Sequence, residues 1–347
     1  MKLLVNACIV IALVSGFVNY IISQEKKTVS GTLARNEQPQ KPCAPLLQNA
    51  RAVRNVQYKH VQGVDSRHLS LDIYASRDAK AQPVMVYLHG GGWSRGDKRA
   101  VYRKPQFFIS QDYVFASVNY RLVPEGKHPN NIEDVVDAIV WIHDNIKSCG
   151  GDPDRIFLMG HSAGGHLAAL ASVYDIRYQH HKKDRLMIKG TIVIDMGMMD
   201  VTGSSNPRWA RTFGSTPEMR ADASPQHHIG KVKPIPPFLH VYNGEKTRKA
   251  RRIEKFCAAV KARGFRAEMV PTRGQTHATI NRDIGREGDK ATAAILAFLN
   301  SLKKEFPSAN GQSAEAQSVN DRPVKGQPGK GRSGGSPAIP STLSEKQ

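Results

Sequence analysis

The chain is short of cysteine and of acidic side chains. It has four cysteines in 347 residues, and no two of them have the Cys-x-x-Cys spacing that is typical of structural zinc sites. Acidic residues number 30 against 50 basic ones, yet no RNA- or DNA-binding signature accompanies this positive charge. The sequence therefore indicates no metal site and no nucleic-acid partner.

The cysteines that are present fall in different parts of the chain. Cys8 lies in an N-terminal apolar stretch, which leaves Cys43, Cys149 and Cys257 as an odd set. Two of these three could pair in an exported protein, and the sequence does not say which. Cys257 lies on the apolar stripe of a predicted helix, so we expect it to be a small core residue.

Only the N-terminus contains a long apolar run. Residues 3–23 are almost uncharged, stand behind Lys2 and are followed by a polar segment. This pattern predicts a secretory signal peptide cut near Ser23, and hence export to the periplasm or the extracellular space. The run is also long enough for a retained membrane anchor, and a buried core helix is a third interpretation.

Composition divides the remainder of the chain. Residues 307–347 are rich in Ser, Gly, Pro, Gln and Lys and nearly lack aromatic or branched apolar side chains. Such a segment buries too little apolar surface to offset its ordering entropy, so we predict a disordered tail. Residues 24–50 are predicted to be a linker, and residues 51–306 the folded domain.

A dense basic segment occupies residues 246–266, with nine Lys or Arg and one acid, Glu254. Its apolar residues recur at i, i+3, i+4 and i+7, so the segment is predicted to be an amphipathic helix with a basic outer face. That face could attract an anionic surface, a polysaccharide or a nucleic acid. A solvated face with no binding role is the alternative.

Strand-like and helix-like segments alternate through the domain, which predicts a mostly parallel sheet with helices on both faces. Strands are expected at residues 55–61, 69–74, 84–88, 113–120, 156–159, 191–194, 238–242 and 267–270. Residues 24–60 and 196–237 are expected to form a small cap. In such sheets the functional site lies at the carboxyl ends of the strands.

The most specific motif is Gly-His-Ser-Ala-Gly at residues 160–164, directly after the apolar strand 155–159. A Gly-x-Ser-x-Gly sequence between a strand and a helix is typical of a nucleophile elbow, in which the serine side chain is exposed on a tight turn. Larger residues in place of Gly160 and Gly164 would collide with the strand and the helix. A serine that merely caps the helix would not need both glycines, so Ser162 is the candidate nucleophile.

A second motif, His-Gly-Gly-Gly-Trp at residues 89–93, also follows an apolar strand. Acyl transfer needs donors for the oxyanion that forms on the carbonyl. The amides of Gly91, Gly92 and Ala163 are the candidate oxyanion donors. The alternatives are a flexible loop or a phosphate cradle, but no Gly-Lys-Ser/Thr follows, which disfavours a P-loop.

The candidate general base is His277, which follows the last predicted strand and so comes after the serine in the chain. His161 and His166 flank the serine and are expected to pack or to form hydrogen bonds. The pairs at residues 180–181 and 227–228 lie in polar surroundings and are expected at the surface.

These motifs resemble those of the α/β-hydrolase esterases. The similarity rests on residues 89–93 and on Asp-Pro-Asp-Arg-Ile at 152–156 running into residues 160–166, and it covers roughly residues 65–304. The most similar groups are the hormone-sensitive-lipase-like carboxylesterases and the related feruloyl, acetylxylan and kynurenine formamidase-type enzymes. The resemblance implies an α/β-hydrolase fold and hydrolysis of an ester or amide through an acyl-enzyme, with no cofactor.

The chain departs from this family at the acid that should orient the histidine. Family members usually place an aspartate shortly after the glycine that ends the strand before the basic helix, whereas this chain has Asn-Gly-Glu-Lys-Thr at residues 243–247. Glu245 is the nearest carboxylate and Asp200 is a second candidate. A site with no functional acid is the third possibility.

Together these features predict an exported serine esterase that acts on small carboxylic esters, with acetyl or feruloyl esters of polysaccharides as candidate substrates. A kynurenine formamidase-like amidase or a peptidase is an alternative within the enzyme class. A non-catalytic binding module on a hydrolase scaffold is the rival from another class. The expected partners are a small-molecule or polysaccharide ester and, through residues 3–23, a membrane.

Overall fold

A computed structural model of the chain describes residues 52–203, 206–245, 247–303 and 305–306. The predicted signal peptide or anchor (1–23), linker (24–50) and tail (307–347) lie outside the described residues.

An eight-stranded sheet forms the centre of the fold, as the alternating pattern predicted. Its strands are β1 (Ala52–Gln57), β2 (Ser70–Tyr74), β3 (Gln82–Leu88), β4 (Val114–Val118), β5 (Gly151–His161), β6 (Ile188–Ile194), β7 (Phe238–Asn243) and β8 (Ala267–Thr272). Their order is β1-β2-β4-β3-β5-β6-β7-β8. The pairs β1–β2 and β2–β4 are antiparallel, and all the other pairs are parallel.

Helices cover both faces of this sheet. They are α1 (Lys104–Ser110), α2 (Asn130–Asn145), α3 (Ala163–Ala171), α4 (Asp175–His180), α5 (Pro207–Phe213), α6 (Pro217–Asp222), α7 (Pro225–His228), α8 (Arg248–Ala262), α9 (Thr279–Arg282) and α10 (Lys290–Lys303). Short 3₁₀ helices occupy Ser66–Leu69, Ile146–Cys149 and Arg185–Met187.

The two faces of the sheet form two apolar clusters because successive side chains along a strand point to opposite faces. On β3, for example, Val84 and Val86 belong to the cluster under α2, α3 and α8, whereas Met85 and Tyr87 belong to the cluster under α1 and α10. The parallel strands are buried on both faces and therefore read as continuous apolar runs.

The segment between β6 and β7 carries the three short helices α5, α6 and α7, where the sequence predicted part of a cap. Polar contacts hold it to the body of the fold: the side chain of Asp222 lies 2.7 Å from His128 Nε2 and accepts a 3.1 Å hydrogen bond from Tyr174. Residues 52–57, which were also expected in the cap, form β1 instead, because they pair with β2 at the edge of the sheet.

Cys149 is disulfide-bonded, whereas Cys257 is a free, buried thiol, as expected from its place on the apolar stripe of α8. Within the described residues, no helix is both long enough and apolar enough to cross a bilayer.

Candidate functional site

Ser162 occupies a strained turn between β5 and α3. Its backbone φ is 54° and its ψ is −122°, an arrangement that costs free energy for a residue with a side chain and is typical of functional sites. Both flanking glycines are required by close packing. A Cβ at Gly160 would lie 2.1 Å from the carbonyl oxygen of Gly164, and one at Gly164 would lie 2.2 Å from that of Leu88. The predicted need for glycine on each side of the serine is therefore confirmed.

His277 lies against this serine. It follows β8 by five residues, and its Nε2 is 3.1 Å from Ser162 Oγ. The imidazole is 54% exposed, so a substrate can reach it. The neighbouring His161 fixes the backbone of the histidine, since His161 Nε2 donates a 2.9 Å hydrogen bond to the carbonyl oxygen of His277. Burial lowers the pKa of His161 to about 4, so it remains neutral at pH 7.

The carboxylate that contacts His277 is Asp195, the first residue after β6. Its Oδ2 lies 2.5 Å from His277 Nδ1, and its side chain is fully buried. The other oxygen, Oδ1, accepts hydrogen bonds from the backbone amide of Asn243, at 2.9 Å, and from the ammonium of Lys249. Burial alone would raise the pKa of Asp195, but these donors together with His277 outweigh it and hold the pKa below its ordinary value. The aspartate is therefore ionised at neutral pH.

This finding corrects the sequence expectation for the acid, because neither Glu245 nor Asp200 contacts His277. Glu245 is exposed and forms a two-pronged ion pair with Arg273, with both distances 2.7 Å. Asp200 accepts hydrogen bonds from Thr202 and lies 3.6 Å from a nitrogen of His227.

The signal for Asp195 was present in the sequence, as it is the first acidic residue after the predicted strand 191–194. It was missed because the family pattern favoured Glu245 after the next strand, and the candidate chosen after strand 191–194 was Asp200 instead of Asp195. Strand β6 pairs with both β5 and β7. The carboxyl end of β6 therefore lies beside the serine turn, and the amide of Ser162 donates a 2.9 Å hydrogen bond to the carbonyl of Ile194.

The glycine loop after β3 lies next to the serine. A Cβ at Gly90 would come 3.2 Å from Ser162 Cβ. Gly91 has a φ of +128°, and a Cβ there would lie 1.8 Å from the carbonyl oxygen of Arg95, so no other residue fits. Within the described part of the chain, the amides of Gly91 and Gly92 donate to no acceptor. The amide of Ala163 is the first of α3 and has no acceptor inside the helix. These three amides are thus available to bind a developing negative charge.

The remaining histidines have structural surroundings. His166 is buried, donates to the carbonyl of Ala223 at 2.9 Å and has its pKa lowered to about 3 by burial. His228 was expected at the surface but is buried, because it packs on Tyr174 and bonds to the backbone carbonyl of Asp222. Among the described residues, no group of three or more His, Cys, Asp or Glu side chains is placed to hold a metal ion.

The chain resembles known proteins in both sequence and structure. Residues 71–247 match the BD-FAE family. Esterase LipC of Mycobacterium tuberculosis is 32% identical over 214 residues, which cover 55% of this chain and 52% of LipC. Carboxylesterase NlhH of the same organism is 43% identical over 90 residues, which cover 25% of this chain and 28% of NlhH. The matches therefore span about half the length of LipC and less of NlhH.

A solved esterase structure resembles this chain over a longer stretch than the sequence matches cover. The apo form of Thermogutta terrifontis esterase 2 matches with a TM-score of 0.59 and 26% sequence identity, over 72% of this chain and 93% of the other. The family match extends over half of the 347 residues and includes the glycine loop, the serine turn and Asp195. The chain therefore belongs to the BD-FAE family and has the α/β-hydrolase fold of the esterases that it resembles.

Proposed function

We propose that the protein is a carboxylic ester hydrolase that works through an acyl-enzyme on Ser162. The observation that carries this proposal is the hydrogen-bonded series from Ser162 Oγ through the two ring nitrogens of His277 to the buried carboxylate of Asp195. A nucleophile, a base and a group that orients the base are the parts that acyl transfer requires.

In the first half of the reaction, Ser162 Oγ attacks the ester carbonyl while His277 Nε2 takes the hydroxyl proton. The carbonyl oxygen becomes an oxyanion and is bound by the amides of Gly91, Gly92 and Ala163. Asp195 holds the imidazole with Nδ1 protonated and stabilises the imidazolium. When the tetrahedral intermediate collapses, the carbon–oxygen bond to the alcohol breaks, and His277 gives its proton to the leaving alkoxide.

The second half repeats these steps with water. His277 removes a proton from water, the resulting hydroxide attacks the acyl carbonyl, and Ser162 leaves with the proton returned by His277. The net reaction is ester plus water to acid plus alcohol. The residues named so far supply every proton transfer that it needs.

A small acyl group is the substrate that we propose. Structures of Thermogutta terrifontis esterase 2 have been solved with propionate and with butyrate bound, which supports short acyl chains for a chain of this family. We further propose, from the predicted export, that the ester is extracellular, with acetyl or feruloyl groups on a polysaccharide as candidates. The disulfide of Cys149 supports export, because disulfides persist in oxidising compartments.

Labelling with a fluorophosphonate tests the proposed nucleophile. We expect the probe to label Ser162 in the folded protein and to leave Ser162→Ala unlabelled. The same substitution should lower kcat for p-nitrophenyl acetate by about 10⁴-fold or more. Labelling at another residue, or undiminished hydrolysis by the folded Ser162→Ala variant, would refute the assignment.

Export is tested separately by expressing the full chain and measuring the mass of the protein recovered outside the cytoplasm. We expect a chain that begins near Gln24. Recovery of the whole chain from the membrane fraction would instead support a retained anchor.

A further inference from the structure

Two cavities adjoin the site, and helix α5 contributes to the lining of both. The first has a volume of about 550 Å³ and is bounded by the glycine loop and by Arg95 and Arg211. The second has a volume of about 470 Å³ and is bounded by residues 197–203, Trp209 and the first turns of α8. We call them the loop cavity and the helix cavity.

Both cavities lie close to the reacting groups. Gly91 and Gly92, the proposed oxyanion donors, line the loop cavity directly. The helix cavity begins at Gly197, two residues after Asp195, where a Cβ would lie 2.8 Å from Cγ of Lys249. The ring of Trp209 in the helix cavity is 5.4 Å from that of Trp93, which follows the glycine loop. A substrate whose carbonyl oxygen is bound by Gly91 and Gly92 therefore borders the loop cavity, and the helix cavity begins two residues along the chain from Asp195.

The charges that line the cavities are almost all positive. Arg95 and Arg211 line the loop cavity, and Arg248, Arg252 and Lys255 line the helix cavity. The last three are spaced i, i+4 and i+7 on α8, so they project from one side of the helix.

One acid, Asp200, accompanies these five cations in the cavity linings. Its carboxylate already accepts two hydrogen bonds from Thr202. Within the described ranges, none of the five cations lies within 4.0 Å of a carboxylate. Other arginines of this molecule are paired, as Arg273 is with Glu245. Asp200 interacts with Lys255 across the helix cavity, which leaves the cations in a clear excess. An excess of cations in a concave surface concentrates anions from solution.

We propose that the ester is carried by an acidic glycan, whose carboxylate or sulfate groups bind in these two cavities beside the acyl group. This inference rests on the esterase function proposed above. Guanidinium groups suit such ligands because their planar array of N–H donors matches two oxygens of a carboxylate or sulfate at once. Trp209 adds an apolar surface to the helix cavity, against which a sugar ring can pack.

The experiment compares kcat/KM for four substrates. These are p-nitrophenyl acetate and acetylated xylo-oligosaccharide, which are neutral, and acetylated oligogalacturonate and acetylated sulfated galacto-oligosaccharide, which carry carboxylates and sulfates respectively. The proteins are wild type, Arg211→Gln, Arg252→Gln and the matched control Arg251→Gln. Arg251 is exposed on α8, beside Arg252, and lines neither cavity.

We expect wild type to prefer at least one of the acidic oligosaccharides over the neutral one. Arg211→Gln and Arg252→Gln should each lower the ratio of acidic to neutral kcat/KM by about twofold to fivefold, as loss of one solvent-exposed ion pair would. Added salt should lower the same ratio. Arg251→Gln should change neither activity. The substrate that loses more activity identifies the ligand as carboxylate or sulfate.

Equal kcat/KM for acidic and neutral oligosaccharides in wild type would overturn the inference. So would an Arg251→Gln effect as large as that of Arg252→Gln, because net charge alone would then explain it. Neither result bears on the proposed esterase function, which is tested separately by hydrolysis of p-nitrophenyl acetate and by labelling of Ser162.

Discussion

The carboxylate of Asp195 is buried and ionised, and it contacts the imidazole of His277 through one oxygen and the ammonium of Lys249 through the other. Replacing it with asparagine keeps the shape but removes the charge and allows the wrong tautomer of His277. We expect Asp195→Asn to lower kcat for p-nitrophenyl acetate by about 10³–10⁴-fold with the fold intact. Circular dichroism and steady-state kinetics measure both quantities.

Glu245→Gln and Asp200→Asn are the matched controls for this prediction, since neither side chain touches His277. Each should retain activity within about threefold of wild type. A large loss in Glu245→Gln together with an active Asp195→Asn would show that the acid moves during turnover. The assignment of Asp195 would then be wrong.

Lys249 is the second residue whose effect can be predicted from contacts. Its ammonium bonds to Asp195 and to the side-chain oxygen of Asn243, and so it competes with the imidazolium for the negative charge of the aspartate. Lys249→Met removes one of the donors that hold the pKa of Asp195 below its ordinary value, so the aspartate is protonated at a higher pH. We therefore expect the acid limb of the kcat/KM profile to move to higher pH.

The control for Lys249 is Lys261→Met, an exposed lysine near the other end of the same helix. It should leave the pH profile unchanged. If Lys249→Met lowers activity equally at every pH, the lysine only supports the fold, and the charge argument fails.

At the scale of elements, the turn that joins β5 to α3 depends on backbone atoms that cannot move aside. Gly160→Ala would place a methyl group 2.1 Å from the carbonyl oxygen of Gly164. Overpacking of this kind costs about 1–3 kcal/mol of unfolding free energy. We expect Gly160→Ala to lower the melting temperature and to lose activity, because the shift displaces Ser162.

The matched control is Gly230→Ala, at an exposed position where the nearest atom to a Cβ is 4.0 Å away. It should melt within about a degree of wild type. Comparable losses in both variants would contradict the steric argument. Differential scanning calorimetry and hydrolysis of p-nitrophenyl acetate give the two measurements.

The sequence predicted the secondary-structure elements better than it predicted the individual residues of the site. The parallel strands were predicted because buried strands appear as apolar runs, whereas the half-exposed edge strand β1 was predicted three to four residues too late. The serine turn was predicted because its glycines have a steric cause. The acid was not, because several strand ends meet at one edge of the sheet and the sequence does not say which of them faces the histidine. His228 was misplaced for a related reason, since its polar neighbours conceal its packing on Tyr174.

At the scale of the whole molecule, four strand ends converge to build the site: β3 supplies the glycine loop, β5 the serine turn, β6 the aspartate and β8 the loop with the histidine. Side chains of α1 and β3 form hydrogen bonds with the segment that follows His277. Lys104 Nζ donates to the carbonyl of Asn281 at 2.7 Å, and the hydroxyl of Tyr87 donates to the side chain of the same residue at 2.9 Å. The stability of this support therefore bears on the position of His277.

Lys104 makes that stability dependent on pH. Its side chain is fully buried, and burial lowers its pKa from 10.5 to about 7. Between these two values the unfolded chain binds more protons than the folded one, so this residue's contribution to stability rises with pH. Burial of the Lys104 ammonium destabilises the fold by its full amount below about pH 7. The destabilisation is absent above 10.5, the pKa of the lysine in the unfolded chain.

We therefore expect the unfolding free energy of wild type to increase relative to that of Lys104→Met as pH rises from about 7 to 9, by at most about 1.4 kcal/mol per pH unit. Urea titrations of both proteins across this range measure the difference. Lys303→Met, at the end of α10, is an exposed control that should show no such slope. A difference that is constant with pH over this range would mean that Lys104 stays charged in the folded protein, which would refute its lowered pKa.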